Sequence, residues 1–395
     1  MKRITALLLL IAPLCLGQVQ LSEEAEISVL TLGPWQGEVF TAFGHSAFRV
    51  HDAVNRIDAA YNYGVFDFDR PNFYLNFARG NNLYMLGVMR YPHFEYAYMS
   101  DNRYIHEQLL NLRPDQKQKL FDFLQWNARP ENREYLYDYF YDNCATKIPE
   151  VVLTVFGDSV TFNGSYITTD YSFRELTDLY LQDQPWGDLG IDIGLGLPTD
   201  KIATPYEYMF LPDYVESGFE HATILQDGGS APLVKETRII YEAFPEDHPS
   251  DFFHPLTVFM IFLLIALVVS YRDLKRRRIS MVFDGVLFCV LGFLGILLLL
   301  LWTATNHQAA EKNFNLLWAL PTHLVVVFAF FRQPKWLKTY FLMVSGLCII
   351  LLITWPVLPQ KLHYSLIPLV VAIGVRSFTQ YKIRPGASVI GKDLP

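Results

Sequence analysis

The run from Ser280 to Trp302, SMVFDGVLFCVLGFLGILLLLLW, carries a single charge, Asp284, in 23 residues. Wound as an α-helix at about 1.5 Å per residue, it spans the roughly 30 Å of a bilayer's hydrocarbon core. This stretch makes the back of the chain a membrane domain. Outward from it lie four more apolar runs: Phe253–Tyr271 before it, then Phe314–Phe331, Thr339–Leu358 and Ser365–Val375. Thr339–Leu358 is long enough to span, Phe253–Tyr271 and Phe314–Phe331 are marginal, and Ser365–Val375 is short and holds Pro368. The loops between the runs are unequal in charge. Arg272, Lys275, Arg276, Arg277 and Arg278 follow the first run, Arg332, Lys335 and Lys338 the third, and Arg376, Lys382, Arg384 and Lys392 the fifth. The two remaining loops carry only Lys312 and Lys361. The positive-inside rule then puts everything before Phe252 on the outer side. Trp302, Trp318, Trp336 and Trp355 lie toward run ends, as in an aromatic belt. One helix would serve as an anchor, so five imply a further task. Asp284 and His323 fall within spans, where an ionisable group is costly and often functional.

The N-terminus gives the same orientation. Lys2 and Arg3 precede the apolar run Leu7–Leu14, and Cys15 and Gly17 supply the small residues for cleavage before Gln18. Lipidation at Cys15 would leave Leu14 where a small residue is wanted. The expected organisation is a signal peptide at 1–17, an exported domain at 18–251, and a membrane domain with about five helices and a cytoplasmic tail at 252–395. Charge divides along the same line. Residues 18–251 hold 16 basic and 36 acidic side chains, and residues 252–395 hold 14 and 4. The acidic half has no basic stripe, which excludes a nucleic-acid partner. A chain that is 51% hydrophobic is too apolar to be disordered.

The exported half reads as one α/β or α+β unit. Phe48–His51 and Ala59–Val65 read as strands, rich in aromatic and β-branched residues. Pro114–Asn127 reads as an amphipathic helix. Cys144–Phe156 reads as another, capped by Asp142 or Asn143 and distorted at Pro149. Ser172–Leu181 opens on a capping box made by Ser172 and Glu175. Gly187–Gly196, GDLGIDIGLG, reads as a glycine-rich loop without the lysine of a phosphate cradle.

Cysteine placement carries the chemical signal. Cys15 belongs to the signal peptide, and Cys289 and Cys348 to membrane runs, so Cys144 is alone in the exported domain. An unpaired exported thiol invites oxidation. It is either a small buried apolar residue or a nucleophile. Its place in Asp142-Asn143-Cys144-Ala145-Thr146, at a predicted helix start, favours the nucleophile. There the macrodipole and free N–H groups stabilise a thiolate and an oxyanion. A thiol nucleophile needs a base. Among His45, His51, His93, His106, His221 and His248, His45 stands out, following Gly44 at the start of a strand. Asn62 and Asp67, on the next strand, are both candidates to orient it. Ser46, Tyr63 and Asn143 flank these groups as supporting residues. No HExxH or CxxC occurs, so neither a metal nor another cofactor is expected. The aromatics Tyr135, Tyr137, Tyr139, Phe140 and Tyr141 are either core or the lining of an acyl groove.

GHSAFRV at 44–50, YNYGVFDFDRPNFYLNFARG at 61–80, PENREYLYDYF at 130–140, DNCATKIPE at 142–150 and PWGDLGIDIGLG at 185–196, followed by the multi-helix tail, resemble the Lnb type of bacterial lipoprotein N-acyltransferase. The resemblance spans nearly the whole mature chain. It implies an α+β exported domain of permuted papain-like order, the His strand before the Cys helix, joined to an all-α membrane domain. It further implies an inner-membrane enzyme with its catalytic domain in the periplasm. That enzyme would move a fatty acyl chain from a membrane phospholipid to the N-terminal cysteine amine of a diacylated lipoprotein, through a Cys144 thioester. Two other classes compete: a membrane-anchored cysteine peptidase or amidase, and a non-catalytic lipoprotein-handling protein.

Overall fold

The computed structural model describes residues 19–245 and 253–384. The expected signal peptide at 1–17 lies outside them. Ten strands are present among the described residues: β1 (Glu26–Leu32), β2 (His45–Asp52), β3 (Ile57–Val65), β4 (Leu83–Arg90), β5 (Ile105–Leu110), β6 (Glu134–Leu136), β7 (Val160–Thr161), β8 (Thr223–Gln226), β9 (Gly229–Pro232) and β10 (Val234–Tyr241). Seven form one antiparallel sheet in the order β10-β5-β1-β2-β3-β4-β6, and β7-β8-β9 form a small second sheet. Side chains alternate along each strand and feed two cores. Ile27, Val29, Phe48, Val50, Tyr61 and Tyr63 pack beneath helices α3 and α4. Leu30, Leu32, Ala47 and Ala60 pack with Tyr91 and Phe94 of helix α2.

The exported domain's helices are α1 (Phe73–Ala78), α2 (Tyr91–Ser100), α3 (Pro114–Asn127), α4 (Lys147–Phe156), α5 (Phe173–Tyr180), α6 (Pro185–Gly194), α7 (Pro205–Tyr208) and α8 (Pro212–Glu220). Helix α3 has the bounds read from sequence; it buries Leu120, Phe121 and Leu124. The capping box of α5 is present, with the Ser172 amide donating to Glu175 Oε2 at 2.9 Å. Two expectations change. The helix after Cys144 begins at Lys147, three residues later than read. Pro149 therefore sits in its first turn, where no backbone donor is required, and it needs no kink. The segment 187–196, read as a loop, is mostly helix α6. Proline starts it, and Leu189 and Ile193 bury against the membrane domain, which outweighs the low helix propensity of its glycines.

The membrane domain has α9 (Pro255–Arg276), α10 (Met281–Thr303), α11 (Thr322–Ala329), α12 (Trp336–Thr354) and α13 (Ile367–Ile383). Four of these five segments are long and apolar enough to cross a bilayer. The third run is instead a 3-10 turn at Phe314–Leu317 followed by the short α11. Its two ends meet different parts of the chain. Asn313 Nδ2 donates to the Ile193 carbonyl of the exported domain at 2.8 Å, while Gln333 bonds Arg384 beyond the far end of α13. The fifth run extends past Val375 to Ile383, so Arg376 is not a loop residue. It is fully buried and donates to both oxygens of Asp284 at 2.7 Å, to Asp273 at 2.8 Å and to Ser270 at 3.0 Å. That network ties α9, α10 and α13 together and accounts for Asp284 in a span. His323 is likewise partnered, by the Tyr340 hydroxyl at 2.8 Å and the Trp318 carbonyl at 3.2 Å.

The two halves dock through the loops on one side of the bundle. The Gly196 amide donates to the Ala309 carbonyl at 2.7 Å, Gln360 to the Leu195 carbonyl at 2.9 Å, and the Lys361 amide to Asp200 at 2.8 Å. A Cβ on Gly196 would overlap the Glu311 carbonyl, so only glycine permits this approach. Behind the contact, buried Arg174 holds Asp192 at 2.6 Å and Asp200 at 3.1 Å.

Candidate active site

Cys144 lies in the turn leading into α4, shaped by the residue before it. Asn143 Oδ1 accepts from the amides of Ala145 at 2.8 Å and Thr146 at 2.9 Å, as an N-cap side chain does, one turn ahead of the helix. Its Nδ2 donates to the carbonyls of Tyr139 and Phe210. Asn143 is thus spent on building the turn.

His45 opens β2, and Asn62 lies on the neighbouring β3. The His45 Nε2 to Asn62 Oδ1 distance is 2.5 Å. An amide oxygen only accepts, so Nε2 carries the proton and Nδ1 remains for the thiol. Burial raises the Cys144 pKa. The charge and hydrogen bond of His45, with the amides of Ser46 and Ala145, outweigh it and hold the thiol below its ordinary value. A half-buried thiol and a base with one free nitrogen therefore meet, with the Ser46 amide beside the sulfur. This arrangement suits nucleophilic attack on an acyl group.

The remaining candidates separate. Ser46 contributes its backbone N–H, while its buried hydroxyl has no partner among the described residues. Tyr63 points into the core and donates to Asn127 at 2.5 Å. Asp67 lies in an exposed turn, accepting from the Asp69 amide at 3.0 Å. Asn62, not Asp67, is the partner of the imidazole. No cluster of three or more His, Cys, Asp or Glu able to hold a metal occurs among the described residues.

Residues 16–177 match the family model of the Lnb N-terminal periplasmic domain, and residues 247–385 match that of the Lnb transmembrane domain. The chain belongs to the Lnb family. No curated protein and no solved structure matches it significantly. The Lnb chain keeps the His-strand-before-Cys-helix order expected from its sequence, with β2 preceding α4.

Three neighbours of the Lnb site were not singled out from sequence. Gly64 sits at a register break of β3 with φ +89°, and a Cβ there would lie 3.4 Å from that of Cys144. A glycine inside a strand is the signal that could have found it. Tyr98 of α2 stacks on His45, centroids 6.0 Å apart and 16° between planes. Arg103 lies over the Tyr98 ring at 4.5 Å and donates to the Gly33 carbonyl at 2.6 Å. Neither contact leaves a local sequence signal. On another side stand Tyr135 and Tyr137, whose hydroxyl pKa values are raised by burial and then by the nearby Cys144 charge.

Proposed function

We propose that this Lnb chain is an apolipoprotein N-acyltransferase of the bacterial inner membrane, with Cys144 on the periplasmic side. The observation that carries this reading is the Cys144–His45–Asn62 constellation, on a domain docked to the outer loops of a multi-pass membrane bundle. A thiol nucleophile there faces the leaflet where both phospholipids and lipoproteins lie. The thiolate attacks a phospholipid ester carbonyl, with the Ser46 amide beside the sulfur receiving the oxyanion. The ester C–O bond breaks, His45 returns its proton to the departing lysophospholipid oxygen, and a thioester remains. The lipoprotein α-amine then attacks the thioester. His45 takes the amine proton, the C–S bond breaks, and an amide and free Cys144 result. A thioester is readily aminolysed, and a site closed by aromatic side chains limits its loss to water.

The test is mass spectrometry of a lipoprotein's N-terminal peptide from a strain lacking its own N-acyltransferase. Wild type should add a third acyl chain, and Cys144→Ser should not. Two chains in both strains, with both proteins well expressed, would move the reading to a cysteine hydrolase using water as acceptor.

A further inference from the structure

A row of aromatic rings leads from Cys144 to the membrane boundary. Gly64 lies against Cys144, and the Tyr137 ring lies 3.8 Å from where a Gly64 Cβ would be. Tyr137 stacks on Tyr84 at 4.3 Å, and Tyr84 meets Phe66 at 5.3 Å. Phe66 contacts Phe68 at 4.8 Å and Phe73 at 6.1 Å, and Phe73 stacks on Phe77 at 6.4 Å. This row ends on α1, a helix with no buried residue. Phe68 is 60% exposed, Tyr74 75%, Leu75 48% and Phe77 43%.

What lies beside α1 identifies what covers it. The Asn306 amide donates to the Arg79 carbonyl at 2.8 Å, Asn306 Nδ2 to Asn81 at 2.8 Å, and His307 Nε2 meets the Phe77 carbonyl at 3.1 Å. Asn306 follows the last residue of the α10 span, Thr303, by three positions. The α1 aromatics are therefore held at the level of that span's outer end, beside Trp302. Exposed Tyr, Phe and Leu at that depth partition into the headgroup and acyl boundary. Three cavities lie elsewhere: one of about 480 Å³ is lined by Gln36, Tyr180 and Asp213, one of about 270 Å³ by Phe140, Phe173 and Gln308, and one of about 510 Å³ by Gln20, Pro114 and Asp122, and none is lined by Cys144 or His45.

We propose that residues 66–79 form a lip seated in the outer leaflet, and that the ring row from Phe77 to Tyr137 guides a phospholipid acyl chain to Cys144. The guiding role deepens the acyltransferase reading, whereas the seating in lipid stands apart from it. Phe66, Phe73, Tyr84 and Tyr137 supply a sequence-tolerant apolar track that binds chains by area rather than by hydrogen bonds.

The experiment uses the full chain in vesicles of phosphatidylethanolamine and phosphatidylglycerol. A fraction of the phosphatidylethanolamine carries a diazirine at the end of one acyl chain. After irradiation, labelled peptides are mapped by mass spectrometry for wild type and for Cys144→Ser. Label is expected on 66–79 and on the peptides holding Tyr84 and Tyr137, at least tenfold above the turn at Val54. That turn is a control of equal exposure, Val54 being 64% exposed, and it lies about 26 Å away along β3. Label confined to the spans, with 66–79 no higher than the Val54 turn, would overturn the lip. Label on 66–79 but not on Tyr84 or Tyr137 would overturn the route. Because Cys144→Ser should label like wild type, failure of the acyl transfer itself would show separately, as loss of the third chain on the lipoprotein.

Discussion

His45 and Asn62 meet across adjacent strands at 2.5 Å, and that contact fixes which imidazole nitrogen faces Cys144. The amide oxygen of Asn62 holds the proton on Nε2, so Nδ1 is the base. Replacing Asn62 by Ala frees the ring to rotate and to change tautomer. A hydrogen bond to a group that becomes charged contributes about 1.5–3 kcal/mol. Thioester formation at Cys144 should slow roughly 10- to 150-fold in Asn62→Ala, read by quenched acyl-enzyme mass spectrometry. Asp67→Ala should stay within about twofold of wild type, since Asp67 bonds only its own turn.

The thiol itself gives a pH prediction. Burial opposes the thiolate and His45 favours it, with a net lowering. The rate of Cys144 alkylation by iodoacetamide should therefore rise with pH at a midpoint below that of an ordinary cysteine. In His45→Ala only the two amides remain against burial. The midpoint should move up, and labelling at pH 7 should fall about tenfold for each unit it moves. An unchanged midpoint would remove His45 from the site.

Much of this was legible in the sequence, and the failures have physical causes. The bounds of α3 and the capping box of α5 follow from local patterns that the tertiary structure leaves intact. Cys144 and His45 were legible because an exported lone thiol and a histidine after a glycine are chemically unusual. Asn62 and Asp67 were indistinguishable, because spacing on a strand does not reveal the register break at Asn62–Val65. The segment 187–196 reads as a loop because its glycines hide a helix held by burial of Leu189 and Ile193 against the membrane domain, and because Gly196, just past that helix, serves docking against Glu311. From sequence Arg376 reads as a loop charge, because its partners, Asp284 and Asp273, come from distant segments.

That buried trio makes a stability prediction. Removing one partner of a buried ion pair costs about 3–5 kcal/mol, whereas replacing both by apolar residues is often neutral. Asp284→Ala leaves Arg376 half paired, so its melting temperature in detergent should drop strongly. The double variant Asp284→Leu/Arg376→Leu should recover most of that loss. A double variant as unstable as the single would show that the pair is needed for more than charge balance.

Docking of the two halves should depend on Gly196. Alanine there places its Cβ on the Glu311 carbonyl oxygen, and the surrounding backbone is held by the Gly196–Ala309 bond. Neither side is a flexible side chain that can move aside. Gly196→Ala should raise amide hydrogen exchange in α6 and in residues 308–313, while leaving β1 and β2 protected. Unchanged exchange at 308–313 would mean the loop does not rely on this contact.

The last prediction follows from Asp178 of α5. Burial pushes its pKa up to about 8, with Asp192 and Asp188 adding to the rise and Arg174 opposing it. A carboxyl raised in the folded state binds its proton there while the unfolded chain has lost its own above about pH 4. The stability from this proton is complete below that unfolded value and is lost as pH climbs through the folded one. Thermal stability of the detergent-solubilised chain should therefore fall between about pH 4 and 8, by on the order of 1 kcal/mol per pH unit. Asp178→Asn keeps the shape of the side chain without the charge, so its melting curve should be flatter across that window. Equal slopes for Asp178→Asn and wild type would assign the dependence to Asp192 instead, whose pKa burial also raises.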